Sequence, residues 1–272
     1  MMKNKKSLGQ NWLKNRVILE EIADLAYYGV DPLMEDDYVG GDSDMVSKSE
    51  NKGAGLCLEI GPGLGFLTSS LLKRFRKVIA VEFDAGLARK LPGSFPGKNL
   101  TVVNEDVLEY DFREIDEPFV IAGNIPYYIT SPIIKKVLTL EKKPERVVLL
   151  MQKEVAERIV SSKETLLSLF VKNYAKASVG PVVPREEFTP PPKVDSQVVV
   201  MELYEESLVD KKVFDLIRKG FSAPRKKLAH NLAGLKPKTE IMSVLEECGI
   251  SKEARPGDVE LQKWAELYKV IK

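Results

Sequence analysis

The run Leu56-Cys-Leu-Glu-Ile60, followed without a spacer by Gly61-Pro-Gly-Leu-Gly65, constrains the fold of this 272-residue chain more than any other stretch. A short continuous apolar run reads as a buried strand, and a helical pattern opens directly after the loop at Phe66. Glycines let the backbone turn sharply and approach a ligand closely at the carboxyl edge of a parallel sheet. Such a loop alone is equally a plain tight turn, so its neighbours decide. Val78–Glu82, Leu100–Val103, Phe119–Ala122 and Val147–Met151 are further strand candidates. Helical patterns alternate with them at Phe66–Arg74, Ala85–Leu91, Ser131–Leu138 and Glu154–Val160. This alternation predicts an α/β fold with a parallel, doubly wound sheet.

An amphipathic helix over Val17–Tyr28 precedes the sheet. Lys172–Val179, Val182–Phe188 and Val194–Leu203 read as later strands and loops. Beyond Tyr204 the pattern is helical only. Val213, Phe214, Ile217 and Phe221 form one apolar stripe, Ser222-Ala-Pro224 a break, and Gly234 the end of the next helix. Thr239–Cys248 ends at Gly249, and a last helix starts near Asp258 with Leu261, Trp264, Ala265, Tyr268 and Ile271 on one face. The expected organisation is an α/β domain over 1–204 and a small all-α domain over 205–272.

Acids stand at the ends of successive predicted strands. A dinucleotide loop of the form G-x-G-x-x-G needs glycine at position 66, which is Phe66 here; the third glycine comes one residue early. Glu59 precedes the loop. Glu82 lies 21 residues after Gly61, where a carboxylate can accept both ribose hydroxyls, and Asp106 can accept from an adenine amine. The set predicts an adenosine ligand without a pyrophosphate.

Composition removes several chemistries. His230 is the only histidine, and Cys57 and Cys248 are isolated. Neither a Ser-His-Asp nucleophile, a zinc cluster nor a disulfide framework has the residues it needs, and a reducing, cytoplasmic setting is expected. The N-terminal residues lack an apolar signal core, and runs such as Val147–Met151 are too short to span a bilayer. No metal and no membrane association is expected. The 41 Lys and Arg nearly cancel the 40 Asp and Glu, yet the charge is segregated. Lys3, Lys5, Lys6, Lys14 and Arg16 stand at the start without an acid, and residues 31–54 form an acidic, Gly- and Ser-rich loop. From 211 to 238, nine basic residues face a single acid, Asp215. Such runs are either solvated faces or a phosphate-binding footprint.

The loop Glu59-Ile-Gly-Pro-Gly-Leu-Gly65, with Val81-Glu82, Glu105-Asp106-Val107 and Asn124-Ile-Pro-Tyr127, resembles the class I S-adenosylmethionine-dependent methyltransferases that modify adenine. Leu8-Gly-Gln-Asn-Trp-Leu13, Met151-Gln-Lys-Glu-Val-Ala-Glu-Arg158 and Phe188-Thr-Pro-Pro-Pro-Lys-Val-Asp-Ser196 narrow the resemblance to the KsgA family of rRNA adenine dimethyltransferases. Arg225-Lys-Lys-Leu228 with Asn231-Leu232 is similar to that family's basic C-terminal helix. Trp12 stands where the family usually has Phe, and the 31–54 loop is longer than the family pattern.

The resemblance implies a Rossmann-like methyltransferase domain that uses S-adenosylmethionine. Asn11 and Leu13 would close over the cofactor, Gly61 would back its methionine portion, Glu82 would hold the ribose and Asp106 the adenine amine. Glu59 and Gly63 would also contact the cofactor, and Asn124 would bind it from a place between cofactor and target. It implies dimethylation of two adjacent adenines near the 3′ end of small-subunit rRNA during ribosome biogenesis, by a monomer acting on a pre-small subunit. Lys211, Lys212, Arg218, Lys219, Arg225, Lys226 and Lys227 would contact RNA. An Erm-type enzyme for large-subunit rRNA, or an assembly or transcription factor on the same fold, are the alternatives; a small-molecule methyltransferase has no use for the basic C-terminal region.

Asn124-Ile-Pro-Tyr127 carries the expected chemistry. The exocyclic amine of adenine is a poor nucleophile because its lone pair is delocalised into the ring. The Asn124 side-chain oxygen and the Ile125 carbonyl can accept its two N–H groups and favour a pyramidal nitrogen. Pro126 stiffens the turn, Tyr127 offers a stacking face, and Phe188 is expected on the other side of the base.

Overall fold

A computed structural model describes residues 10–29 and 55–272. The predicted acidic loop 31–54, Leu8-Gly9 and the basic residues Lys3, Lys5 and Lys6 lie outside the described residues. The remainder divides into two compact units.

The first unit holds the described residues up to Ala156 with Ser178–Leu203. After a two-residue strand β1 (Trp12–Leu13), helix α1 (Arg16–Tyr28) is started by Asn15, whose Oδ1 accepts from the N–H groups of Val17 and Ile18 at 3.0 and 3.4 Å. It ends at Gly29, with φ +85°. Then come β2 (Leu56–Ile60), α2 (Phe66–Arg74), β3 (Lys77–Glu82), α3 (Ala85–Lys90), β4 (Leu100–Asn104), β5 (Phe119–Asn124), α4 (Thr130–Leu138), β6 (Arg146–Gln152) and α5 (Lys153–Val160). Every one of these sheet strands and helices stands where the apolar periodicity predicts it, within two residues at each end. Strands β7 (Ala175–Val183), β8 (Phe188–Thr189) and β9 (Ser196–Leu203) follow further along the chain.

The main sheet has the order β4-β3-β2-β5-β6-β9-β7. Strands β4 to β6 are parallel, and β9 runs antiparallel beside β6. Because β2 is flanked by β3 on one side and β5 on the other, the strand order reverses there, and a crevice opens beyond the carboxyl ends of β2 and β5. The α1 and α2 side is an apolar layer of Leu19, Ile22, Leu67 and Leu71 on Cys57, Val120, Ala122, Val148 and Leu150. The two helices are also joined by Arg74, which binds Asp24 through Nε and Nη2 at 2.7 and 2.8 Å and Glu20 through Nη1 at 2.5 Å. Against the opposing effect of burial, hydrogen bonds from Lys73, Arg74 and Ser70 hold the Glu20 carboxyl near pKa 2.

Two features differ from the sequence expectation. Lys172–Val179, read as strand or loop, is divided between the end of helix α6 (Leu166–Tyr174) and the start of β7. Thr165 and Ser168 cap that helix reciprocally, Ser168 taking the place of the more usual Glu or Gln. The ladder of β1 on β8, pairing Trp12 with Thr189 and Leu13 with Phe188, joins segments too distant for local patterning to reveal.

The second unit combines 157–177 with 204–272. It takes in α6 because Phe170 packs edge-on against Phe214, with ring centroids 5.5 Å apart. Helices α7 (Lys211–Gly220), α8 (Leu228–Leu232), α9 (Lys238–Glu247) and α10 (Leu261–Ile271) complete it. Trp264 is fully buried, donates to the Val259 carbonyl at 3.1 Å, and lies so close to Gly220 that a side chain there would strike its ring. At the break after α7, the Asn231 amide donates to the carbonyls of Gly220 and Ala223.

Gly123 in β5 has no room for a side chain, since an added Cβ would lie 2.8 Å from the Ile60 carbonyl oxygen. Gly123→Ala is expected to destabilise the protein by about 1–3 kcal/mol through overpacking. Gly93→Ala, where an added Cβ meets nothing within 4 Å, is expected to change stability by less than about 0.5 kcal/mol. Urea unfolding of the two variants measures the difference; equal midpoints would show that the β2–β5 contact yields freely.

Candidate active site

Four strand ends build one cleft. It is lined by Gln10–Leu13 from β1 and its approach, Glu59–Leu64 after β2, Val81–Phe83 after β3, Glu105–Val107 after β4, and Asn124–Ile129 after β5. The parallel register brings these ends to one edge: Ile60 stands opposite Val81 and Gly123, and Glu82 opposite Asn104.

The glycine loop needs its glycines for conformation. Gly61, Gly63 and Gly65 have φ of +65°, +58° and +84°. Gly61 faces open space, so it presents bare backbone to the cleft. Gly65 lies against Leu91 and Phe95, where a Cβ would not fit, and Trp12 lies over Gly63 with Nε1 3.1 Å from the position of an added Cβ. The Trp-for-Phe departure therefore falls on a residue that covers the loop.

Glu82 is 6% exposed and already bound on both oxygens. Oε2 accepts the Gly63 N–H at 3.0 Å and Oε1 the Asp84 N–H at 2.8 Å. Each oxygen retains a lone pair for a hydroxyl donor. Burial raises the pKa of this carboxyl, opposed by the backbone N–H groups of Asp84, Gly63 and Phe83. Asp106 turns Oδ1 back to the Leu108 N–H at 2.9 Å and is half-buried at the cleft.

Glu59 is 1% exposed and accepts from Thr68 Oγ1 at 2.6 Å. Burial pushes its pKa up to about 8; Thr68 lowers it and the charge of Glu82 raises it. At neutral pH it is chiefly a neutral acid, able to donate as well as accept.

Asn124 ends β5, and its Nδ2 donates to the Asn11 carbonyl at 3.0 Å. This bond commits the amide nitrogen to protein and leaves Oδ1 as the acceptor. Ile125 is buried, its N–H donating to the Leu150 carbonyl at 3.3 Å. Pro126 and Tyr127 line the cleft, and the Tyr127 hydroxyl lies 2.7 Å from Ser196 Oγ.

Of the predicted site residues, Asn11, Leu13, Glu59, Gly61, Gly63, Glu82, Asp106, Asn124, Ile125, Pro126 and Tyr127 all line this cleft. Phe188 does not line it. Expected opposite Tyr127, it is 3% exposed and belongs to the apolar core, packed in the cluster that also holds its ladder partner Leu13. Phe66, Phe83 and Tyr128, which sequence reasoning passed over as site residues, line the cleft with 38%, 61% and 63% of their surface exposed. Their signal in the sequence was a large aromatic directly after each motif.

Lys211, Lys212, Arg218, Lys219, Arg225, Lys226 and Lys227 are all exposed on the second unit. Two of them are paired: Arg218 with Asp215 at 2.8 Å and Lys227 with Glu253 at 2.5 Å. Among the described residues, no group of His, Cys, Asp and Glu could hold a metal ion, and no helix is long and apolar enough to cross a membrane.

A parallel sheet with a glycine loop after its first central strand and acids after the next two defines a Rossmann-like class I methyltransferase. The model of the family described as ribosomal RNA adenine dimethylase matches residues 1–272. Ribosomal RNA small subunit methyltransferase A of Fusobacterium nucleatum is 36% identical, covering 99% of this chain and 98% of its own. The protein of the same name from Mycoplasma mycoides is 32% identical over 99% and 98%. Among solved structures, a dimethyladenosine transferase from Plasmodium falciparum is similar with a TM-score of 0.73 and 28% identity, covering 94% of this chain and 95% of that one. The 23S rRNA methyltransferase ErmE has a TM-score of 0.71 and 25% identity over 96% and 99%. The chain belongs to the ribosomal RNA adenine dimethylase family, and it is a methyltransferase.

Between pH 4.5 and about 8 the folded chain keeps the Glu59 proton that the unfolded chain loses. Stability attributable to this group therefore falls as pH rises through that window, by up to about 1.4 kcal/mol per pH unit. Glu59→Gln keeps an acceptor for Thr68 and removes the titration. Urea unfolding at about pH 5 and about pH 8 is expected to give a smaller stability difference for the variant than for the unsubstituted protein. Equal differences would refute the buried acid.

Proposed function

We propose that this enzyme transfers methyl groups from S-adenosylmethionine to the exocyclic amines of two adjacent adenines near the 3′ end of small-subunit rRNA, acting as a monomer on an assembling particle in the cytoplasm. The observation that carries the reading is Asn124: its amide nitrogen is committed to Asn11, so its oxygen is the free acceptor in the cleft that Glu82 and Asp106 also line.

The residues present fit the cofactor. Glu82 keeps two lone pairs for the ribose hydroxyls, Asp106 keeps Oδ2 for an adenine amine, and Gly61 leaves bare backbone for the methionine portion. When bound, S-adenosylmethionine supplies an electrophilic methyl group on a sulfonium that leaves readily. The protein's task is then to orient the nucleophile. Asn124 Oδ1 and the Ile125 carbonyl accept the two amine protons, which localises the nitrogen lone pair. Tyr127 supplies a face for the extruded base. No strong base is required, and in-line geometry supplies most of the acceleration.

The structural likeness to ErmE is nearly as high as that to the dimethyladenosine transferase, so the fold does not distinguish the two substrates. The near-full-length relatives named for the small subunit favour that target over the Erm-type alternative. The complete set of acceptors favours a working enzyme over a binding factor. The helical residues 205–272 are the RNA-contacting part in this reading, and Lys211, Lys212, Lys219, Arg225 and Lys226, which have no ion-pair partner among the described residues, lead that contact.

Radiolabelled S-adenosylmethionine with small-subunit particles lacking the modification is expected to label the particle rRNA. Labelling of large-subunit rRNA alone would establish the Erm-type activity, and none on either would establish a binding factor. Asn124→Ala is expected to reduce transfer at least about a hundredfold with cofactor binding still measurable; near-normal turnover would remove Asn124 from the chemistry. Reversing charge at Lys219, Arg225 and Lys226 is expected to weaken particle binding and flatten its salt dependence by roughly 0.7–0.9 in log–log slope per lost phosphate contact. Unchanged binding would make this region a solvated face.

A further inference from the structure

Ser196 opens β9, is 0% exposed, and holds the Tyr127 hydroxyl at 2.7 Å across 69 residues of sequence. Its place is set by the sheet. Ser196 stands opposite Gln152, and two residues on Val198 stands opposite Leu150, which on its other side is opposite Asn124. Strand β6 thus fixes in one register both the acceptor oxygen of the site and the hydroxyl that binds the ring beside it.

Tyr127 itself is placed less firmly. It follows Pro126, which fixes the backbone but leaves both side-chain torsions of the next residue free, and it is only half-buried at an open cleft. A ring offered for stacking has no partner on that face until a base arrives. One hydrogen bond at the far end of the ring, to a group that cannot move, restricts both torsions at once. The phenol suits this role: burial raises its pKa, so it stays protonated and neutral.

We propose that Ser196 is a positioning residue for methyl transfer, its buried hydroxyl holding the Tyr127 ring in the plane on which the target adenine stacks beside Asn124. This rests on the reading of Tyr127 as the stacking face. A hydroxyl that merely fills the core would alter stability and leave the kinetic constants for RNA alone.

The test is steady-state methylation of small-subunit particles lacking the modification, by Ser196→Ala, Tyr127→Phe, their double variant and Tyr127→Leu, with cofactor affinity and thermal midpoint measured on each. Ser196→Ala and Tyr127→Phe are each expected to lower kcat/KM for the particle by about three- to tenfold, the loss of one neutral hydrogen bond. The double variant is expected to be no worse than either, with cofactor affinity unchanged. Tyr127→Phe removes the same bond from the ring side, so the test stands even where Ser196→Ala does not fold. Unaltered kcat/KM in Tyr127→Phe together with lost transfer in Tyr127→Leu would overturn the tether and leave the stacking face in place. Multiplying losses in the double variant would also overturn it, and full transfer by Tyr127→Leu would overturn the stacking face itself.

Discussion

Strand β2 pairs in parallel with β3 on one edge and β5 on the other, and the site depends on that double pairing. The chain runs outward from β2 to β4 and then returns to β5 on the opposite side, so connecting segments diverge at the carboxyl ends of β2 and β5. The divergence leaves backbone at the end of β2 uncovered. Gly61 and Gly63 occupy that point with positive φ, and Gly123 lets β5 come close enough to β2 for the pairing to form.

Placing acids beside such a gap has an electrostatic cost, which two devices reduce. Glu82 is buried but receives two backbone N–H groups, one of them from the glycine loop it faces, so its charge also organises that loop. Glu59, more deeply buried and served by Thr68 alone, resolves the same problem by staying protonated up to about pH 8. A site with one neutral acid, one carboxylate bound by backbone donors, Asp106 and an oriented amide has its acceptors in place, which suits transfer to an amine from a good leaving group.

The second unit shows why the near-zero sum of charges misleads. Its seven basic candidates are exposed, but Arg218 and Lys227 are partly compensated by Asp215 and Glu253, so the field they present is smaller than the count of cations suggests.

Apolar periodicity and glycine punctuation determined β2 to β6 and α1 to α5, and the strand-end positions of Glu59, Glu82, Asp106 and Asn124, because both signals are local. The resemblance carried by the motifs supplied the reaction and Tyr127's role in it. Only the tertiary structure decided the rest. Helix α6 was hidden by an unusual cap and by packing on Phe214, both outside local periodicity. Phe188 is buried in the core cluster, where it pairs with Leu13 in an antiparallel ladder, and no pattern within either segment encodes that pairing. The commitment of the Asn124 nitrogen to Asn11 and the bond of Tyr127 to Ser196 span 113 and 69 residues. Contacts of that range exist only once the sheet order and register have brought the strand ends together.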